Sequence, residues 1–328
     1  MSKHLFGIVL TPFGTAANNR GETEGNTTTL QKLLWKGSVH TTVSAEAIRA
    51  AIRWYWQGDG ATLNRTWDDN KRSFRFGDPE FTKGGVGYID DDVLGFMSAR
   101  AAKQEGNDAE AGMPVQATLA VEATAAPASG RARAPRAQRA VGTVDVRRGR
   151  LEVTRAISLQ PWAGDITFNA ASPGATPSAS RSVGNPVPYS AEVHATRYQY
   201  GFALTPDDLL DRTNAVRVLD ALSHLNNVAG NHARFLYDFS PASIVLRWTD
   251  DPAPRFLYAF ETDDADTVSL PGLVRTVTAG DVDPRELWVG GEVAGTADGE
   301  TLRRAGAHVF QGVKGAVDGV RQRVADPS

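Results

Sequence analysis

Residues 44–56 constrain the fold more than any other stretch. Ile48, Ile52, Tyr55 and Trp56 recur at helical spacing, so the segment reads as an amphipathic helix whose apolar face needs a core to cover it. Ser44 is an N-cap residue whose hydroxyl accepts from the orphan amides of the first turn, and Glu46 puts negative charge at the positive end of the helix. Arg49 and Arg53 stand one turn apart on another face near that end. Guanidiniums and free helix amides converging on one region suit phosphate, because both match its oxygens as donors. An amphipathic helix with solvated arginines gives the same pattern. A polar Asn/Gly loop over residues 18–26, containing Asn19 and Arg20, and the segment 36–40, with Lys36 and His40, lead into the helix.

Further along, residues 4–10, 151–159 and 191–203 read as strands, and Thr205 with Pro206 marks the start of a helix reaching about Leu225. Residues 235–239, 244–248 and 256–260 read as strands, and 300–324 as mostly helical with glycine interruptions. The order β, α, β, β, α, β predicts an α+β protein with an RRM-like, ferredoxin-like core, one domain spanning residues 1–328 with insertions.

Three stretches lie outside that core. Within residues 57–98, Lys71, Arg72, Phe74, Arg75, Phe76, Phe81 and Lys83 interleave cations with rings, a mixture that tracks phosphates and stacks bases. An ordinary half-exposed strand alternates in the same way. Residues 101–140, inside an insert running from 99 to 149, hold 14 alanines in 40 positions with few large apolar groups, so they are expected to be flexible. Residues 160–190 form a long loop rich in Pro, Gly, Ser and Asn with Trp162 and Phe168 embedded.

Charge adds a second pattern. The net charge is -3, yet residues 125–155 hold 8 basic and 2 acidic residues whereas 249–286 hold 3 basic and 9 acidic ones. Such segregation suits a polyanion on one side and a neighbouring protein on the other; two solvated loops give it equally well. With no cysteine, disulfides and thiolate metal sites are excluded. No apolar run approaches the roughly 20 residues that span a bilayer, and the short apolar run into Thr11-Pro12 reads as a strand rather than a signal peptide, so a cytoplasmic protein with no membrane partner is expected.

Chemistry has little to build on. The 6 histidines include no close pair at metal-ligand spacing, no phosphate-binding Gly-Lys-Ser/Thr loop is present, Gly84-Gly-Val-Gly87 lacks the context of a dinucleotide fingerprint, and no Gly-x-Ser-x-Gly elbow appears. No catalytic residue, metal or cofactor is therefore expected. The acidic clusters Asp90-Asp91-Asp92, Asp250-Asp251 and Asp263, Asp264, Asp266 leave one enzymatic alternative, a metal-dependent ribonuclease, since hard cations prefer oxygen ligands. Aspartates entering a short helix at 88–97 serve equally as first-turn charges.

Four separated motifs carry a family resemblance: residues 18–56 with Val43-Ser-Ala-Glu46, Tyr88-Ile-Asp-Asp-Asp-Val-Leu-Gly-Phe-Met97, Ala156-Ile-Ser-Leu-Gln-Pro161 and His194-Ala-Thr-Arg-Tyr-Gln-Tyr200. In this order they resemble the DevR-like backbone subunits of type I-B CRISPR Cascade complexes. The resemblance implies a non-catalytic, guide-RNA-binding subunit that polymerises along CRISPR RNA, with an RRM-like palm, finger-like insertions over 57–98 and a thumb over 160–190. It implies as partners CRISPR RNA, target DNA through guide pairing, further copies of itself and other Cascade subunits. It maps RNA-backbone contacts onto Ser44 and Arg49 and onto the loop with Asn19 and Arg20; Lys36, His40 and Arg53 around the helix, Lys71 and Arg72 of the cation–ring segment and Trp162 of the 160–190 loop are added as RNA-contact candidates from the residues themselves. Many relatives carry an amide where this chain has Glu46, whose charge would repel phosphate. Recognition is expected to be largely independent of sequence, since phosphate contacts carry no sequence information. A self-associating regulatory protein without RNA is the remaining alternative.

Overall fold

The computed structural model describes residues 2–17, 23–99, 144–171, 187–226, 228 and 237–326, in two units: residues 1–96 with 148–328, and residues 97–147. In the smaller unit the described ends, Phe96–Ala99 and Val144–Arg147, form a two-stranded pair. The expectation of flexibility at 101–140 falls outside the described residues.

The larger unit is a mixed α/β structure built on a nine-stranded sheet. Its strands are β1 (His4–Leu10), β2 (Lys32–Trp35), β3 (Ser38–Val43), β4 (Glu152–Val153), β5 (Ala156–Ser158), β6 (Tyr198–Leu204), β7 (Ser243–Thr249), β8 (Leu287–Gly291) and β9 (His308–Phe310). They run in the order β9-β8-β7-β1-β6-β5-β3-β2, with β4 also paired to β6. Helices α1 (Ala45–Gly58), α2 (Ile89–Leu94), α3 (Asn214–Ser223), α4 (Pro271–Thr278), α5 (Ala297–Ala305) and α6 (Val313–Ala325) connect them.

β1 is a nearly continuous apolar run because both faces of the sheet are covered. Leu5 and Val9 join Tyr200, Phe202 and Leu246 under α1, α3 and α6, which contribute Ile48, Ile52, Trp56, Leu219 and Val320. Phe6, Ile8 and Leu10 face the other way, into a second core with Leu273 of α4 and Leu302 of α5. A Cβ on Gly7 would lie 2.3 Å from the Phe202 ring, so the first core closes only over a glycine there. Trp56 reaches across that core and donates Nε1–H to the Arg217 carbonyl at 3.2 Å, tying α1 to α3.

Within this sheet β7, β1, β6 and β5 lie side by side, every neighbour antiparallel. Several elements depart from expectation. The approach to α1 is a hairpin, β2–β3, turned by Lys36 and Gly37 with φ of 50° and 84°, the geometry of a two-residue turn between right-twisted strands. The helix read from Thr205 is only a short 3-10 turn, Pro206–Asp208; Asp92 accepts from the Leu210 and Asp211 amides and Asp211 from the Thr213 amide, holding the chain out of helix until Asn214. Thr205 makes no cap and instead meets His4 Nδ1 at 2.8 Å.

Residues 256–260 form no strand, because Arg255 and Tyr258 take positive φ; the Gln199 side chain bonds both the N–H and the C=O of Phe260 in place of a ladder. Tyr237–Phe239 is irregular, while 235 and 236 lie outside the described residues. Glycine breaks residues 300–324 completely: Gly306, at φ 110°, ends α5, β9 follows, and Gly312 precedes α6. The 160–190 loop contains an antiparallel ladder, Ile166–Ala171 against Val187–Glu192. Among the described residues, no helix is long and apolar enough to cross a membrane.

Candidate nucleic-acid interface

Helix α1 begins as its sequence dictates. Ser44 caps it, its Oγ accepting from the Ala47 amide at 3.3 Å, and Ile48, Ala51, Ile52 and Trp56 are buried. Beside its start, the β4–β5 strand carries one extra residue: Val153 pairs with Phe202, but Ile157 pairs with Gln199. Such a bulge re-aims side chains. It contains Arg155, which is exposed and donates to Gln31 Oε1 at 3.3 Å and Thr42 Oγ1 at 3.1 Å. Arg49 is half-buried, one Nη donating to the Leu151 carbonyl at 3.3 Å, while its buried Nε has no partner.

Glu46 is exposed between these two cations. Its carboxyl is held below the usual glutamate range, first by its own backbone amide and then by the Ser44 hydroxyl and the Arg49 and Arg155 charges, against a smaller effect of burial. The helix end therefore presents amides, two guanidiniums and one carboxylate that partly neutralises them. Arg155 is the residue that sequence reasoning missed. It directly precedes the Ala156–Pro161 motif, and its neighbourhood with α1 exists only through the sheet.

The other named residues divide. Lys36 is exposed in its turn, but the six residues of β3 separate that turn from Ser44 by about 20 Å. Trp35 beside it meets Tyr258 in a tilted pair, ring centres 5.2 Å apart, and the Tyr258 hydroxyl donates to the Arg155 carbonyl at 2.9 Å, so contacts run from the hairpin turn to the bulge. His40 is packed inside, 6% exposed, with Nδ1 at 2.7 Å from the Ser158 carbonyl. The Ser44 side chain is likewise buried, engaged in capping α1.

Arg53 is not free either. Its Nε donates to Asp90 Oδ2 at 3.4 Å, and its side chain is 16% exposed. Trp162 donates Nε1–H to the Val193 carbonyl at 3.0 Å and lies under the Lys32 ammonium, 3.9 Å from its ring centre, which commits one face to the protein. Lys32 in turn pairs with Glu192 at 2.5 Å. Lys71 and Arg72 are exposed in the turn of a separate hairpin, Arg65–Asp68 against Ser73–Phe76. Asn19 and Arg20 lie outside the described residues.

The acidic triplet of α2 is not a metal cluster. Asp90, Asp91 and Asp92 are all buried, and each carboxylate is committed to a different donor set. Asp90 accepts from the amides of Asn64 (2.8 Å) and Arg65 (3.0 Å), Asp91 from Asn64 Nδ2 (2.7 Å), and Asp92 from Asn214 Nδ2 (2.9 Å) as well as the Leu210 amide. Burial, then the Asp90 charge, pushes the Asp91 carboxyl up to about 6. The other acidic stretch is largely neutralised from within: Asp266 binds Arg197 at 2.7 Å, Glu286 binds Arg247 at 2.9 Å, and Asp283 binds Arg285 at 2.6 Å. Among the described residues, no group of three or more His, Cys, Asp or Glu is arranged to hold a metal ion.

The larger unit is thus a mixed α/β sheet with a core on each face. The chain is similar in fold to a chain titled CRISPR RNA-guided surveillance complex (TM-score 0.53, 15% identical, covering 98% of this chain and 99% of that one). It is similar also to one titled CRISPR RNA-guided surveillance complex, pre-nicking (TM-score 0.55, 11% identical, covering 99% and 100%). No family model matches it. CRISPR-associated protein Cas7/Cst2/DevR of Myxococcus xanthus (strain DK1622) is 49% identical over 96% of each chain, and the chain belongs to this Cas7/Cst2/DevR family.

Proposed function

We propose that this chain is a guide-RNA-binding backbone subunit of a Cascade-type, type I-B CRISPR complex, several copies of which line one CRISPR RNA and present it for pairing with target DNA. Family membership carries the reading, and the exposed cations Lys36 and Arg155, with half-buried Arg49 at the start of α1, give it a physical basis. In this reading the β7-β1-β6-β5 sheet with α1 and α3 is an RRM-like palm, the 65–76 hairpin a finger and the 166–192 ladder a thumb. Asn19 and Arg20 belong to the same guide surface. The subunit holds RNA without cutting it: the triplet that a ribonuclease would use for metal binding is already occupied by Asn64, Arg65 and Asn214 donors.

Purification of the protein with its genomic neighbours, followed by sequencing of the bound RNA, tests this. Enrichment of repeat-bounded guides is the expected result; an RNA-free assembly would instead support a self-associating regulator. Degradation of complementary RNA by the guide-loaded complex, abolished in Asp91→Ala, would restore the ribonuclease.

A further inference from the structure

We infer that the 65–76 hairpin is a second nucleic-acid surface, which holds a single strand by stacking bases on an aromatic ladder, apart from the α1 end assigned to the guide. The inference goes beyond the guide-binding reading and does not depend on it.

The register puts Arg65 opposite Phe76 and Trp67 opposite Phe74, so all four side chains share one face of the hairpin. The Arg65 guanidinium lies 5.9 Å from the Phe74 ring centre and 5.5 Å from that of Phe76. Trp67 meets Phe74 edge-on at 5.1 Å and Trp54 of α1 at 6.1 Å. Rings and cation thus form one row, yet Trp54, Phe74 and Phe76 are 51%, 47% and 41% exposed. Core packing would have buried them, and a solvated face would have carried polar residues.

The platform is rigid. Two strands of four residues are marginal alone, but the Gln57 amide closes two hydrogen bonds on the Trp67 backbone at 2.9 and 3.1 Å. At the hairpin's base Asp90 holds the Arg65 amide, and the Asn64 carbonyl and Oδ1 accept from the Gly77 and Asp78 amides. The row therefore needs no ordering to receive a ligand.

Charge selects the partner. Lys71 and Arg72 project from the turn and have no ion pair among the described residues. The neighbouring carboxylates are engaged: Asp68 accepts from the Asn70 and Lys71 amides and faces Arg75, and Asp69 accepts from the Trp67 indole. Phe74 and Phe76 each turn one face toward Arg65, and the ring surface left exposed beside Lys71 and Arg72 matches stacked bases on a phosphate chain, whereas an apolar protein partner would leave those cations desolvated. The hairpin is fastened at Gln57, eight residues or about 12 Å along α1 from Arg49.

The test titrates the full chain, with whatever guide it carries, against a labelled oligothymidylate of about 20 nucleotides, and maps ultraviolet crosslinks. Phe74→Ala with Phe76→Ala is expected to weaken binding about tenfold or more, while the paired tyrosine variant retains it. Crosslinks should fall on Trp54, Phe74 or Phe76, and co-purified guide should be unchanged in both variants. Unchanged affinity with crosslinks elsewhere would overturn the inference. So would loss of self-association without loss of oligothymidylate binding, which would give the face to a second copy. Loss of guide from a normally folded alanine variant would merge the hairpin with the guide surface. If the chain carries no RNA at all, the backbone reading fails while the oligothymidylate arm still decides this one.

Discussion

Arginines that look alike in the sequence have different jobs, and the difference is measurable. Arg49 and Arg155 flank the start of α1, whereas Arg53 is half-buried and paired with Asp90. Alanine at 49 or 155 should weaken RNA binding similarly for unrelated sequences and reduce the salt slope by about 0.7 for each phosphate that is no longer neutralised. Alanine at 53 should leave the slope unchanged and instead destabilise the fold by about 1–3 kcal/mol, because it strips a donor from a buried carboxylate; anisotropy titrations against salt, with thermal melts, separate the two. Glu46 sits among the same cations. Glu46→Gln should raise RNA affinity about threefold, the worth of removing one like charge roughly 7 Å from a phosphate in water, as read by the same titration at fixed salt. The N-cap at Ser44 was legible from local chemistry. The burial of His40 was not, since nothing at 36–40 announces that the Ser158 carbonyl lies 2.7 Å away across the sheet.

At the level of elements, α2 acts as a fastener. One turn of aspartates ties the start of the 65–76 hairpin through Asp90 and the approach to α3 through Asp92. Asp90→Ala would leave the Asn64 and Arg65 amides without their acceptor and should cost about 2–4 kcal/mol; chemical denaturation measures it, and faster exchange of those two amides identifies the cause. The same triplet shows where periodicity stops being informative. Consecutive aspartates read equally as metal ligands or helix-start charges, because their role depends on partners more than 20 residues away. α1 and β1 were readable because their patterns of 3.6 and continuous apolarity are imposed by burial itself. The false strand at 256–260 and the early helix at 205 failed for the opposite reason: side chains from distant elements, Gln199 and Asp92, supply the hydrogen bonds that regular structure would have used.

For the whole molecule, two buried groups set opposing responses to pH. Asp91 holds its proton up to about pH 6 in the folded chain, above an unfolded value near 3.9, so stability falls as pH rises from about 4 to 6. His194, hydrogen-bonded to Thr41 Oγ1 at 2.7 Å, is pushed down to about 4 by burial, below its unfolded value near 6.5. Its contribution is complete above about 6.5 and is lost as pH falls toward 4. The two slopes offset each other in the native chain. Asp91→Asn removes the first, so the variant should match the native protein near pH 4, exceed it above pH 6, and lose stability more steeply on acidification; urea melts across that range check the sign. The segregated charge changes meaning at this scale too, since much of the acid at 249–286 neutralises arginines of the protein's own sheet. By itself the sequence determined a mixture of strands and helices, the core strand β1, the capped helix α1, the poverty of catalytic motifs and the family, because local capping, burial periodicity and ordered motifs are all written within short windows. Only the tertiary structure decided that Arg155 joins Arg49, that the aspartate triplet is internal and that the rings of the 65–76 hairpin remain partly exposed. Those outcomes depend on residues brought together across the sheet, where hydrogen-bond partners and water access are set by packing rather than by proximity along the chain.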